Sequence, residues 1–308
     1  MSKSLQRNGE TVLVTGATGY VGAVVAEKLI AAGYAVRGLI RREEQADQLK
    51  QAGIEPFIGD VLDAARVAEG AKGAAAIVHT AAPGNPSADG DMQQMITDTA
   101  NLISSIAETA KANGSRAIVT SGVSLYGHAA GQIFDESSPM SPPFPGADRI
   151  ADLEADLAKK EAVLFLRLGI VFGRSKGGLI PGYVETIRAR GRTALVSPDH
   201  RMSVVNVDDA ADLYLAMLED DTPPPIVNAV SAIISWPDVA ALVAQASSVP
   251  NDPEVLGPQE AMMLGGPAVY MPMDMAVSGN LARDTLGWRP NAPTFEDVLL
   301  NISSGVAE

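Results

Sequence analysis

Residues 11–22 read TVLVTGATGYVG, and this dozen constrains the chain more than any other stretch. TVLVT is a short β-branched run of the kind that is buried on both faces of a parallel sheet. A glycine-punctuated turn follows, after which Val21, Val24, Val25, Leu29 and Ile30 recur at helical spacing until Gly33 stops the helix. Each glycine has a physical task. Gly16 permits the tight turn, Gly19 lets backbone approach a ligand closely, and Gly22 lets the helix pack tightly on the strand. A strand, turn and helix of this form leave unpaired N–H groups and the positive end of a helix dipole at one mouth, which suits phosphate oxygens. The motif predicts a dinucleotide held by Gly16, Thr18, Gly19, Tyr20, Val21 and Gly22.

The alternation continues. AVRGLI (35–40), EPFIG (55–59), AAAIVH (74–79), RAIVTS (116–121) and AVLFLRLG (162–169) read as strands, and 43–53, 63–73, 91–114 and 147–160 read as helices between them. Such spacing predicts an α/β fold, a Rossmann doubly wound parallel sheet built from right-handed βαβ units. We assign residues 11–172 to it, and expect 203–220, the strand SVVNV and the helix after it, to return to that sheet. Residues 173–308 are expected to form a smaller C-terminal substrate-binding portion, with the strand IVNAV (226–230), a helix near 236–247 and the methionine-bearing stretch AMMLGGPAVYMPMDM (261–275).

The end of the second strand bears on which dinucleotide binds. An NAD site places a carboxylate there for the ribose 2′-OH, whereas GLIRRE puts Arg41 and Arg42 at that point. In a chain of net charge −14, forked guanidiniums suit a 2′-phosphate, which predicts NADP with NAD still possible. The other reading is a solvated pair matched to Glu43 and Glu44. GDV (59–61) sets Asp60 beside Val61 where a carboxylate could accept from an adenine amino group or cap the next helix. In HTAAP (79–83), Thr80, Ala81 and Ala82 are small where backbone passes a ribose, and His79 reads as a buried strand-end residue rather than a ligand.

Composition narrows the partners. With 308 residues and 46% hydrophobic content the chain can bury a large core. The charge of −14 disfavours nucleic acid and anionic membranes, leaving a small-molecule substrate as the expected partner. No cysteine is present, and His79, His128 and His200 show no metal-ligand spacing, so no metal is expected. The polar opening and the lack of any run of about 18 apolar residues predict a cytoplasmic protein without a membrane span.

TGATGYVG, the Asp60–Val61 pair, VHTAA, VTSGVSLYG (119–127), LRLGIVFGR (166–174), SVVNVDDAADLY (203–214) and LGWRP (286–290) occur in an order that resembles the short-chain dehydrogenase/reductase superfamily. The likeness is to its extended, NAD-dependent epimerase/dehydratase-like branch. It implies a seven-stranded Rossmann sheet, a C-terminal substrate lobe, a nicotinamide cleft between them with Leu168 and Gly169 among the cofactor-binding residues, and a homodimer as in many relatives. The chain also departs from that pattern. Gly122 stands where members carry a Ser or Thr, and alignment on Glu154 puts Gly146 and Ile150 at the positions of the Tyr and Lys of Tyr-x-x-x-Lys. Without that phenol, hydride transfer to a carbonyl loses a general acid worth about 10² to 10⁴ in rate.

Ser121, Ser124 and Tyr126 lie just past the fifth strand, where ligands sit in open α/β sheets, and are the candidate catalytic residues. Tyr126 has a structural role as its alternative. His128 follows closely. Arg149 is the long cation near the missing lysine, with a surface bridge to Asp148 or Asp152 as its alternative. The resulting expectation is an atypical NADP-dependent oxidoreductase of a small, apolar carbonyl, enone or imine, using a non-standard proton donor. A non-redox isomerase, lyase or cyclase that keeps the nucleotide as scaffold, or an NADP(H)-sensing binding protein, are the alternatives. GVSLYG is one residue too long for the GxSxG of a hydrolase. In the C-terminal portion, Arg174, Tyr183, His200, Arg201, Met262, Met263, Tyr270 and Met271 are candidate mouth residues against ordinary packing. Arg188, Arg190 and Arg192 read as a solvated helix end, and Asp208 and Asp209 as helix caps.

Overall fold

The computed structural model describes residues 9–81, 92–160, 163–174 and 178–304, without the side chains of 303 and 304. Its first elements are β1 (Thr11–Thr15), α1 (Tyr20–Ala31), β2 (Ala35–Ile40), α2 (Ala46–Gln51), β3 (Glu55–Ile58), α3 (Ala64–Gly70) and β4 (Ala74–His79). α4 (Met92–Asn113), β5 (Arg116–Gly122), α5 (Asp148–Lys159) and β6 (Leu164–Leu168) continue the alternation. Then come β7 (Ile170–Phe172), α6 (Ile180–Arg190), β8 (Ala194–Leu195), β9 (Arg201–Asn206), α7 (Val207–Glu219), β10 (Ile226–Ala229) and β11 (Ala232–Ser235). The chain closes with α8 (Trp236–Ser247), β12 (Glu254–Val255), α9 (Pro258–Met262), α10 (Asn280–Thr285) and α11 (Phe295–Ser304).

The main sheet is a seven-stranded parallel Rossmann sheet in the order β10-β6-β5-β4-β1-β2-β3. β1 lies between β2 and β4 in parallel register, with Val14 opposite Gly38 on one side and Val78 on the other. The chain reverses winding direction at β1, so the β1 and β4 carboxyl ends form the crevice where open sheets bind ligands. Burial follows the sequence pattern: Val12 to Thr15 are buried without alternation, as a strand covered on both faces requires. α4 turns Ile96, Ala100, Ile103, Ala107 and Ala110 to one side at three- and four-residue spacing. Its Ile103 and Ile106 pack with Leu13, Ile77, Val119 and Phe165 in one core.

The chain separates into two compact units that are interleaved rather than cut once. The first runs to Ser121 and takes in Phe144–Leu166 and Ala211–Ile226. The second holds Gly122–Pro143, Arg167–Ala210 and the residues from Val227 onward. AVLFLRLG (162–169) holds one strand, β6, which stops at Gly169, where a Cβ would stand 2.8 Å from the Ser203 carbonyl oxygen; β7, inside the residues 11–172 assigned to the Rossmann sheet, pairs in another sheet. Two further expectations are corrected. SVVNV does not return to the main sheet, because β9 pairs in parallel with β7 and antiparallel with β11 to make a separate three-stranded sheet. IVNAV, expected in the C-terminal portion, is instead the outer strand β10 of the main sheet. Strand pairing is a long-range choice, and hydrophobic spacing alone does not encode the partner.

The second unit has its own core, in which Phe172, Val184, Ile187, Trp236 and Val243 pack with Met271, Met275, Phe295 and Leu299. Among the described residues no helix is long and apolar enough to cross a membrane.

Candidate functional site

The glycine loop takes its shape from contacts that only glycine allows. Gly16 has φ +79°, and a Cβ there would come within 2.9 Å of the Ala81 amide nitrogen. A Cβ on Gly22 would overlap the Gly16 carbonyl and the Thr80 hydroxyl, so the third glycine packs against the loop and the β4 end rather than simply on a strand. Thr80 ties that end to β1, its amide and hydroxyl both donating to the Thr15 carbonyl at 3.1 and 2.7 Å. α1 has neither a side-chain cap nor an acidic residue in its first turn. No capping side chain or first-turn carboxylate of its own therefore competes with an anion at the helix start.

A cleft of about 230 Å³ opens over this loop, bounded by Gly16, Thr18, Gly19, Arg41, Arg42, Asp60, Val61, Thr80 and Ala81. Nine of the residues picked from the sequence thus meet in one place. Leu39, Ile40, Gln45 and Gly59 complete the wall and were missed as site residues. For Ile40 and Gly59 the signal was available, since both adjoin chosen strand-end residues. Gln45 carried none, because it reads as ordinary helix surface. Gly22 is buried in the loop packing, Tyr20 and Val21 are half-buried on α1, and none of the three lines the cleft. Ala82 lies outside the described residues. Leu168 and Gly169 belong to the second unit and are not among the cleft's lining residues; the Ser203 carbonyl already accounts for the glycine at 169.

Arg41 and Arg42 are exposed on the cleft wall. Among the described residues, Glu43 and Glu44 included, neither forms an ion pair. Asp60 does not cap α3. That task falls to Asp63, which accepts from the Ala65 and Arg66 amides, while Asp60 accepts from the Leu62 amide and lines the cleft. His79 is buried, with Nδ1 2.6 Å from the Thr15 hydroxyl, and burial pulls its pKa down to about 4. It is a neutral structural residue.

The candidate proton donors separate on inspection. Tyr126 is 1% exposed; its hydroxyl accepts from the buried Arg167 at 2.5 Å and donates to Asn228 Oδ1 at 3.1 Å. Burial pushes this phenol up from its ordinary pKa, with Arg167 opposing. A buried, doubly bonded tyrosine is a structural group, and the acid role expected of Tyr126 is withdrawn. Ser121 is half-buried at the end of β5 and donates to the buried Glu154 at 2.7 Å. Ser124 is half-buried in the 3-10 turn Val123–Tyr126. Gly146 has φ +85° ahead of α5, and the place of its missing Cβ is 3.1 Å from both polar atoms of the Gln93 carboxamide. Arg149 is exposed and makes no bridge to Asp148 or Asp152.

In the second unit the charged candidates are engaged with one another. Arg201 pairs with the buried Asp274 at 2.7 Å. Burial raises the Asp274 pKa, but the Arg201 hydrogen bond and charge and the Gly131 amide outweigh it and hold it below the usual range. Around the end of α6, Arg188 and Arg192 are exposed and Arg190 is half-buried; at the surface Arg188 pairs with Glu185, Arg190 with Glu254 and Arg192 with Asp252. Asp208 pairs with Arg174 rather than capping α7, and its amide is met by Asn206. Asp209 accepts from the Asn291 and Ala292 amides, which anchors the segment after LGWRP. His128 Nδ1 accepts the Asp274 amide, and the His200 ring stands 5.2 Å away, edge on.

Against known proteins, the model of the NAD dependent epimerase/dehydratase family matches residues 12–229. The dTDP-6-deoxy-L-talose 4-dehydrogenase (NAD(P)(+)) of Kitasatospora kifunensis is 28% identical over 93% of this chain and 93% of its own length. A 3-diazoavenalumate denitrifying reductase of a Streptomyces species is 26% identical over 94% and 98%. The dTDP-glucose 4,6-dehydratase of Streptomyces venezuelae, solved with NAD and TYD bound, has the same fold, with a TM-score of 0.77, 18% identity and 95% of each chain covered.

Proposed function

The chain belongs to the NAD-dependent epimerase/dehydratase family, and on that premise we propose that it is an NADP-linked oxidoreductase acting on a small organic electrophile. The acceptor class read from the sequence is an apolar carbonyl, enone or imine. The observation that carries the NADP assignment is the pair of unpaired guanidiniums, Arg41 and Arg42, on the wall of the glycine-loop cleft in a chain of net charge −14. Positive charge that is not paired with a carboxylate suits a dianionic phosphate.

The residues present fit a dinucleotide. The Gly16–Gly22 loop and the uncapped start of α1 would hold the diphosphate, since a Cβ at Gly16 or Gly22 would fill the approach or distort the loop. Arg41 and Arg42 would hold the 2′-phosphate, Asp60 and Val61 the adenine, and Thr80 and Ala81 a ribose edge. When bound, the nicotinamide supplies two-electron hydride chemistry. The chain's own part is to orient the ring and to position substrate. Ser121 and Ser124 are the hydroxyls proposed to meet the substrate, the former with its direction set by Glu154. Two full-length relatives named as a dehydrogenase and a reductase support the redox reading over the non-redox one.

Calorimetry tests the cofactor. R41A/R42A is expected to weaken NADP about 10- to 100-fold, the scale of one or two charge-assisted hydrogen bonds, and NAD less than about 2-fold. Equal losses would remove the 2′-phosphate assignment. Loss of nicotinamide absorbance on mixing NADPH with carbonyls, enones and imines tests the chemistry. Product formed without that loss would turn the reading to a non-redox enzyme.

A further inference from the structure

Gln45 is the one polar residue of the cleft wall to which nothing above gives a task, and its bonding assigns one. Arg42 is extended and heads the 3-10 turn Glu43–Gln45, in which the Gln45 amide donates back to the Arg42 carbonyl at 3.1 Å. That turn folds the Gln45 side chain over the glycine loop, where its Nε2 donates to the Thr18 hydroxyl oxygen at 3.1 Å. Both residues line the cleft together with Arg41 and Arg42. A hydroxyl that accepts one hydrogen bond still has its own proton to give. Among the described residues that proton meets no acceptor, so it is available to an incoming anion.

We propose that Thr18 and Gln45 form a neutral donor pair that completes the 2′-phosphate cradle begun by Arg41 and Arg42, and that Gln45 is a specificity-determining positioning residue for NADP. This rests on the reading of the cleft as an NADP site. The two guanidiniums supply charge, which acts over distance and is poorly directional. The hydroxyl supplies direction, and Gln45 fixes it by holding the Thr18 oxygen toward the arginine turn. The 2′-hydroxyl of NAD is smaller and uncharged, so the pair gains little from it. Selectivity thus comes from geometry as well as charge.

Calorimetry with NADP, NAD and 2′-AMP on the full chain tests this, with thermal melting as the check on folding. Q45A and T18V are each expected to weaken NADP and 2′-AMP about 3- to 10-fold, the scale of one hydrogen bond, with NAD changed less than about 2-fold. T18S, which keeps the hydroxyl, is expected to retain wild-type affinity. The double variant Q45A/T18V is expected to lose little more than T18V alone, because the amide acts through the hydroxyl. Equal losses for NADP and NAD would overturn the proposal by placing the pair on the diphosphate or the loop fold. Unchanged NADP affinity in Q45A, a T18S loss as large as that of T18V, or fully additive losses would overturn it as well. If a variant melts early, 2′-AMP binding by T18S and T18V decides. Wild-type protein giving no heat with either dinucleotide would instead overturn the NADP site itself, a result distinct from all of these.

Discussion

The cleft and the second unit hold their arginines in opposite ways. On the cleft, Arg41 and Arg42 stand exposed and uncommitted although Glu43 and Glu44 follow them in the chain. In the second unit, Arg174, Arg188, Arg190, Arg192 and Arg201 each meet a carboxylate. The same side chain thus does two kinds of work. Closed pairs join distant segments: Arg190 to Glu254 beside the β8–β12 pair, and Arg201 to Asp274, whose Oδ2 also receives the Gly131 amide. An open guanidinium in a strongly acidic protein keeps its field unspent on a carboxylate. The difference teaches that pairing state, more than residue type or exposure, separates an arginine open to a ligand from one that joins segments of the fold.

The largest expected effect tests the closed side. R201A leaves Asp274 buried without its counter-charge, which costs about 3 to 5 kcal/mol when such a pair is broken. Denaturant unfolding would measure that loss, while calorimetry should find NADP affinity unchanged. A loss of NADP binding without loss of stability would break the comparison.

G22A probes the open side through its scaffold. The new methyl would overlap the Gly16 carbonyl and the Thr80 hydroxyl, and overpacking of this kind costs about 1 to 3 kcal/mol. Because the loop itself must shift, NADP and NAD should weaken together, in contrast to the selective loss expected of R41A/R42A. Selectivity in G22A would blur the distinction between loop and cradle.

The smallest effect concerns His79, behind the cleft. Its pKa is 6.5 in the unfolded chain and about 4 in the folded one, so the neutral ring is favoured by folding. The unfolded state then binds more protons between those values. The stability contribution is complete above pH 6.5 and falls by about 1.4 kcal/mol per unit as the pH drops toward 4. H79Q should remove that slope from a series of unfolding curves. A slope that persists would place its origin in another group.

Much of the cleft was legible because it is built from residues near one another in sequence or at the ends of consecutive strands. Gly16, Thr18 and Gly19 lie on one turn, and Arg41, Asp60 and Thr80 each close a strand of a regular βαβ series. Gln45 was hidden, since its place in the cleft wall against Thr18 depends on a 3-10 turn replacing the start of the expected helix. Tyr126 was misread for a related reason. Its sequence position beside the fifth strand is the same whether the ring faces a ligand or a core, and only Arg167 and Asn228, 41 and 102 residues away, decide for the core.

Periodicity and glycine spacing determined the strand and helix series, the glycine turn and the place of the arginine pair, because each depends on backbone geometry within a few residues. Tertiary structure alone decided which sheet β7, β9 and β10 joined, which carboxylate each paired arginine met and which side chain met the Thr18 hydroxyl. Those outcomes depend on groups brought together from far apart in the chain, where the competition between partners is settled by burial and distance rather than by order.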